Sequence, residues 1–201
     1  MSELTTFIHL GFRHIIDVAA MDHILFLLAL SAIFRGRDWR DSLWVVSAFT
    51  VGHSMTLALA ATGALRIPSW VTEFLIPLTI VATGMENIWV RNRSQAPLQG
   101  RYRPLFAGVF GLVHGAGFAD YLQRLFTGSI IVPLFGFNLG IELGQLVVLA
   151  VAGAVLALLD RLLLLLRASD AETSPYRFRV VAVSLVVVAV AAQMAAARRP
   201  W

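Results

Sequence analysis

Six long blocks of apolar residues, separated by short charged segments, organise this chain. They cover about Phe12–Phe34, Leu43–Gly63, Ser69–Val90, Pro104–Leu122, Ile131–Leu166 and Phe178–Ala197. The blocks neither alternate like strands nor carry one polar stripe like surface helices. Runs of about 18 or more apolar residues are long enough to cross hydrocarbon as helices. The pattern therefore predicts an all-α protein, a polytopic membrane helix bundle of about six transmembrane helices in one transmembrane domain over residues 1–201. The segment before the first block lacks the basic start of a signal peptide, so that block is read as one retained helix. The fifth block is longer than one span requires and is expected to tilt or project.

Punctuation agrees with these limits. Trp39, Trp44, Trp70, Trp89 and Trp201 fall at or just outside block ends, where indole rings favour the headgroup layer. Pro68, Pro104 and Pro133 stand near helix starts, where a missing N–H costs little. Gly136, Gly140 and Gly144 in the fifth block, and Gly111 and Gly115 in the fourth, have the four-residue spacing that lets helix backbones approach closely.

Charge adds orientation. Only 14% of residues are charged, against roughly a quarter in soluble domains, so the basic excess does not suggest a nucleic-acid partner. Eleven of the sixteen basic residues, all arginine, follow the first, third and fifth blocks; Arg13, Arg66, Arg124, Arg198 and Arg199 lie on the other side. The positive-inside rule then places both termini outside, in a multi-pass protein of the bacterial inner membrane whose main partner is the lipid bilayer. Self-association into a homo-oligomer is left open. The chain has no cysteine, which excludes thiolate metal sites and disulfides. It also lacks a phosphate-binding glycine loop, which excludes self-powered ATP-driven pumping.

Ionisable groups inside a bilayer are costly and mark function. The first block holds His14, Asp17, Asp22 and His23; the second holds His53 and Ser54; the fourth holds His114; and the fifth holds Asn138, Glu142 and Gln145. At 1.5 Å per residue, His23, His53, His114 and Glu142 all fall roughly 15 Å deep, near the middle of a ~30 Å core. Asn138, Glu142 and Gln145 share one helix face. Three imidazoles and a carboxylate at one depth suit a divalent transition metal such as nickel, cobalt or zinc. Asp22 can ligate beside His23 or orient a neighbour. Glu73 and Glu86 lie near the ends of the third block and read as solvated or capping groups, while Asp160 reads as a solvated or paired group in the extension of the fifth.

The strings HIIDVAAMDH (residues 14–23), FTVGHSMTL (49–57), HGAGFA (114–119) and FNLGIELGQ (137–145) together resemble the HupE/UreJ family of membrane proteins. Glu73, Glu86 and Asn87 look like that family's acidic third-helix positions. The resemblance implies a nickel or cobalt permease. His14, Asp22, His23, His53 and His114 would lie on the metal pathway, assisted by Glu142 and Asn138. His14 would be the first ligand on the way in. Two other readings compete. One is an intramembrane zinc hydrolase with a three-histidine shell, Glu142 or Asp22 as base and Ser54 as stabiliser. The other is a haem carrier with two histidine ligands.

Overall fold

The structure, a computed structural model, describes residues 2–18, 21–35, 38–90, 100–125, 129–166 and 174–199. Arg37, Arg91, Arg93, Arg167 and Trp201 lie outside these residues, as does the side chain of Arg124. Among the described residues there are seven helices and no strand: α1 (Glu3–Ile16), α2 (Met21–Ala32), α3 (Trp39–Ala61), α4 (Ser69–Val90), α5 (Arg103–Leu125), α6 (Ile131–Leu166) and α7 (Pro175–Ala197). Helices α3, α6 and α7 are each long and apolar enough to cross a membrane, and α1 with α2 would make a fourth crossing as one broken span.

That break corrects the reading of the first block as one helix. Helix α1 starts at Ser2, whose side chain accepts the Thr5 N–H, and ends at Asp17, where the backbone turns extended. Helix α2 begins afresh at Met21, and the two axes differ by 69°. Local electrostatics favour this division. Arg13 and His14 suit the C-terminal turn of α1, and Asp22 suits the N-terminal turn of α2.

Glycine seams fasten the remaining helices. A Cβ on Gly140 would run into the Ile8 carbonyl and lie 2.8 Å from the Phe12 nitrogen; one on Gly144 would lie 2.9 Å from the Ile15 Cβ. Leu4 and Phe7 meet Gly136, Ile8 meets Gly140 and Ile15 meets Gly144, so α1 and α6 run side by side in one direction. Helices α3 and α5 do the same: Ala48 meets Gly108, Phe49 meets Gly111 and His53 meets Gly115. Close backbone approach maximises dispersion contact where lipid offers no hydrophobic drive between helices. Helix α7 packs on α4, where Gly84 admits the Val188 side chain.

Phe26, Phe49, Phe137, Ile15, Leu27 and Ile141 fill the interior and are essentially inaccessible. Large apolar side chains cover the exterior as well, among them Val51, Met55, Leu105, Val109, Phe135, Leu139, Val155 and Val186. A water-facing surface would not present so continuous an apolar coat. Trp39, Trp44, Trp70 and Trp89 are all exposed, as an interfacial belt requires. Together these features describe a membrane protein.

One polar lock lies away from the histidines. Asn87, fully buried on α4, donates to the Ala29 carbonyl of α2 at 2.7 Å and accepts from Arg103 of α5 at 2.7 Å. Arg103 also pairs with Glu86, which accepts the Tyr102 hydroxyl as well. Elsewhere, Asp160 of α6 pairs with Arg179 of α7 at 2.8 Å.

Candidate metal centre

The break after α1 shapes the centre of the molecule. His14 occupies the last turn of α1, and Asp22 with His23 occupy the first turn of α2. Because the chain bends between them, the His14 and His23 rings come to 4.5 Å between centroids. His53 of α3 completes a compact group: one ring nitrogen from each of His14, His23 and His53 lies within 4.8 Å of the other two. His114 of α5 adjoins this trio, its ring 5.5 Å from that of His23. The glycine seams hold these rings in place. Gly111 and Gly115 of α5 lie directly against the His53 backbone, and Gly144 of α6 against Ile15.

Hydrogen bonding selects the tautomers. Asp22 Oδ1 accepts the His23 backbone N–H at 3.0 Å and lies 3.1 Å from His23 Nδ1. A carboxylate at Nδ1 places the proton there and leaves the Nε2 lone pair free. Asp22 Oδ2 lies 3.4 Å from an Arg198 guanidinium nitrogen. Thr79 of α4 donates its hydroxyl to the Ile76 carbonyl at 2.7 Å, so its oxygen accepts from His114 Nε2 at 3.0 Å. The His114 Nδ1 lone pair is left bare. Thus His23 and His114 are each fixed by one partner and each offer the opposite nitrogen.

Five imidazole nitrogens in this cluster are buried without a hydrogen-bond partner among the described residues: His14 Nε2, His23 Nε2, both nitrogens of His53, and His114 Nδ1. A buried polar atom left unmet costs roughly 1–3 kcal/mol. Bare, converging imidazole lone pairs beside a carboxylate fit the donor set of a first-row divalent cation. Phe118 and Phe137 flank His14 at 4.0 and 5.6 Å, and Phe26 and Phe49 each lie 5.1 Å from His114. These aromatic rings wall the cluster.

The other sequence-selected residues lie elsewhere. Glu142 accepts the Ser47 hydroxyl at 2.8 Å, and Gln145 accepts the Thr50 hydroxyl at 2.7 Å, both across the seam between α3 and α6. Asn138 shares that face of α6, its Oδ1 buried without a partner. Ser54 donates to the Thr50 carbonyl of its own helix at 2.6 Å. Glu73 is exposed near the start of α4, and Glu86 belongs to the Arg103 lock.

Depth along the helices singled out His23, His53 and His114 and set His14 apart as the first ligand on the way in. The tightest grouping among the described residues is instead His14, His23 and His53, because the 69° bend brings the start of α2 beside the end of α1. Two functional partners escaped the sequence reading, Thr79 and Arg198. Thr79 had a faint signal, a hydroxyl two residues after a proline in an apolar run. Arg198 had none beyond its place at a span end.

A family model described as "HupE / UreJ protein" matches residues 1–199. No curated protein and no solved structure matches the chain. The histidine-bearing strings all lie inside the matched region, which leaves almost nothing of the sequence outside it, and the chain therefore belongs to the HupE/UreJ family.

Proposed function

We propose that this protein is a permease for a divalent transition metal, nickel or cobalt, in the bacterial inner membrane, with six spans and both termini outside. One observation carries the reading: three imidazoles from three helices, two buried and one half-buried, bring ring nitrogens within 4.8 Å of one another, with buried nitrogens that no hydrogen bond satisfies among the described residues. Asp22 supplies the negative charge that partly offsets a dication inside hydrocarbon. His14, His23 and His53 form the binding station, and His114, held by Thr79, extends it along α5. Glu142, Asn138 and Gln145 form a second polar strip on the seam between α3 and α6. A permeant ion must bind well enough to shed water and weakly enough to leave. A few imidazoles with one carboxylate meet that requirement better than a closed, highly charged shell.

Transport is preferred over zinc hydrolysis because each nearby carboxylate is already bonded. Asp22 holds His23 and Arg198, and Glu142 holds Ser47 on a different seam. Neither stands free as a general base.

The test is metal binding by purified protein, by calorimetry with Ni²⁺ and Co²⁺, together with uptake in vesicles. Wild-type protein is expected to bind about one ion, and His53→Ala to abolish both binding and uptake. His9→Ala, on the exposed face of α1, is expected to change neither. Equal loss in the two variants, or stable binding without flux, overturns the permease reading.

A further inference from the structure

Arg198 stands at the C-terminal cap of α7, its backbone N–H bonded to the Met194 and Ala195 carbonyls. An arginine at a span end ordinarily extends its long stem towards water and headgroups. Here the guanidinium reaches Asp22 Oδ2 at 3.4 Å, although the Asp22 side chain is only 12% exposed. The other oxygen of that carboxylate is the one that fixes the His23 ring. A single carboxylate thus joins the tail of α7 to the histidine cluster, 176 positions away in the chain.

We propose that Arg198 is a built-in counter-cation, which occupies Asp22 when the station is empty and gives way when a dication binds. The inference rests on the permease reading. Its logic is charge competition. The cluster holds imidazoles and one carboxylate, and the Arg198 guanidinium sets a positive charge against that carboxylate. A dication next to His23 needs the same negative charge, and it repels the guanidinium at short range. Metal and arginine therefore cannot both be fully stabilised by Asp22. The exchange raises the threshold for binding, so weak or singly charged cations fail to displace the arginine. It also speeds release, because the returning guanidinium restores the neutral state as the ion departs. The Arg198 side chain is 34% exposed, whereas His23, His53 and His114 are buried on packed helices.

The experiment is calorimetric titration of the full-length detergent-solubilised protein with Ni²⁺. The chains compared are wild type, Arg198→Gln, Arg198→Lys, Asp22→Asn and the Asp22→Asn/Arg198→Gln double variant, with His53→Ala as control. Arg198→Gln is expected to bind Ni²⁺ about tenfold more tightly, since a full charge is removed beside the site. Arg198→Lys keeps the charge and should stay within about threefold of wild type. In the Asp22→Asn background, Arg198→Gln should have no further effect, because the two residues act as one pair. Equal or weaker binding by Arg198→Gln, at unchanged melting temperature or not, overturns the proposal and leaves Arg198 as a tether between α7 and α2. The same gain in the presence and absence of Asp22 also overturns it. If His53→Ala binds Ni²⁺ like the wild type, the permease reading falls and this inference with it. If only the Arg198 results fail, the permease reading stands.

Discussion

At the scale of single residues, hydrogen bonds in the second layer decide what the histidines can do. Thr79 spends its proton on its own helix, which obliges it to accept from His114 and frees Nδ1. Thr79→Val keeps the shape and removes that acceptor. It is expected to weaken Ni²⁺ affinity roughly 10-fold or more, the usual cost of losing such a partner, while Thr79→Ser restores it. Calorimetry on both variants checks this; equal affinity in all three chains would remove His114 from the site. Asp22 does the corresponding service for His23. Residue identity was legible in the sequence here, since every histidine of the cluster stood out as an ionisable group in an apolar block. Pairing was not, because hydrogen-bond partners such as Thr79 and His114 lie 35 positions apart and periodicity along one helix says nothing about its neighbour.

At the scale of helices, hydropathy was a good guide wherever a helix runs unbroken. The expected limits Ser69–Val90 and Ile131–Leu166 coincide with α4 and α6. Hydropathy failed over residues 12–34, because the residues around the break are themselves apolar and conceal it. The order of charges was the available signal, Arg13 and His14 suiting a helix end and Asp22 suiting a helix start. Glycine spacing was more informative than expected, since it marks the seams that hold His53 and the end of α1. Gly115→Ala would drive a methyl group into the His53 backbone. It is expected to lower the melting temperature by several degrees and to reduce metal affinity together. Gly153→Ala on α6 meets nothing within 4 Å and should leave both unchanged or raise stability slightly, by up to about 1 kcal/mol from helix propensity. Parallel melting curves and titrations distinguish the two. Loss in both variants would mean that the bundle tolerates no added methyl group at all rather than being seamed at particular sites.

At the scale of the whole molecule, the parts form pairs around a central half-helix. Helices α1 and α6, and α3 and α5, are each zipped by glycine, α7 packs on α4, and α2 rests chiefly on α4, α7 and α6 with Asp22 and His23 in its first turn. The arginine distribution then predicts topology. Reporter fusions after Arg40 and after Trp201 should report opposite faces of the membrane. Signals from one face would refute the six-span arrangement with outward termini. The same fold explains why acidic position alone was a weak guide to the site. Glu142 is as deeply placed along the chain pattern as Asp22, yet it braces α6 against α3, while Glu86, near its block end, braces α4 against α5.

A helix that stops and restarts inside a membrane leaves main-chain groups without intrahelical partners: carbonyls at the end of α1 and amide hydrogens at the start of α2. Hydrocarbon cannot satisfy them, and each would cost several kcal/mol if it faced lipid. Asp22 answers one, the His23 amide, and Asp17 answers another by donating to the Arg13 carbonyl. Any such group without a protein partner needs water. The middle of this protein should therefore be wet on one side and dry on the other, and deuterium should report it. Amides of residues 21–24 are expected to exchange within minutes in lipid nanodiscs, while those in the middle of α7 stay protected for hours. Nickel, by displacing that water, should slow exchange at 21–24 and leave α7 untouched.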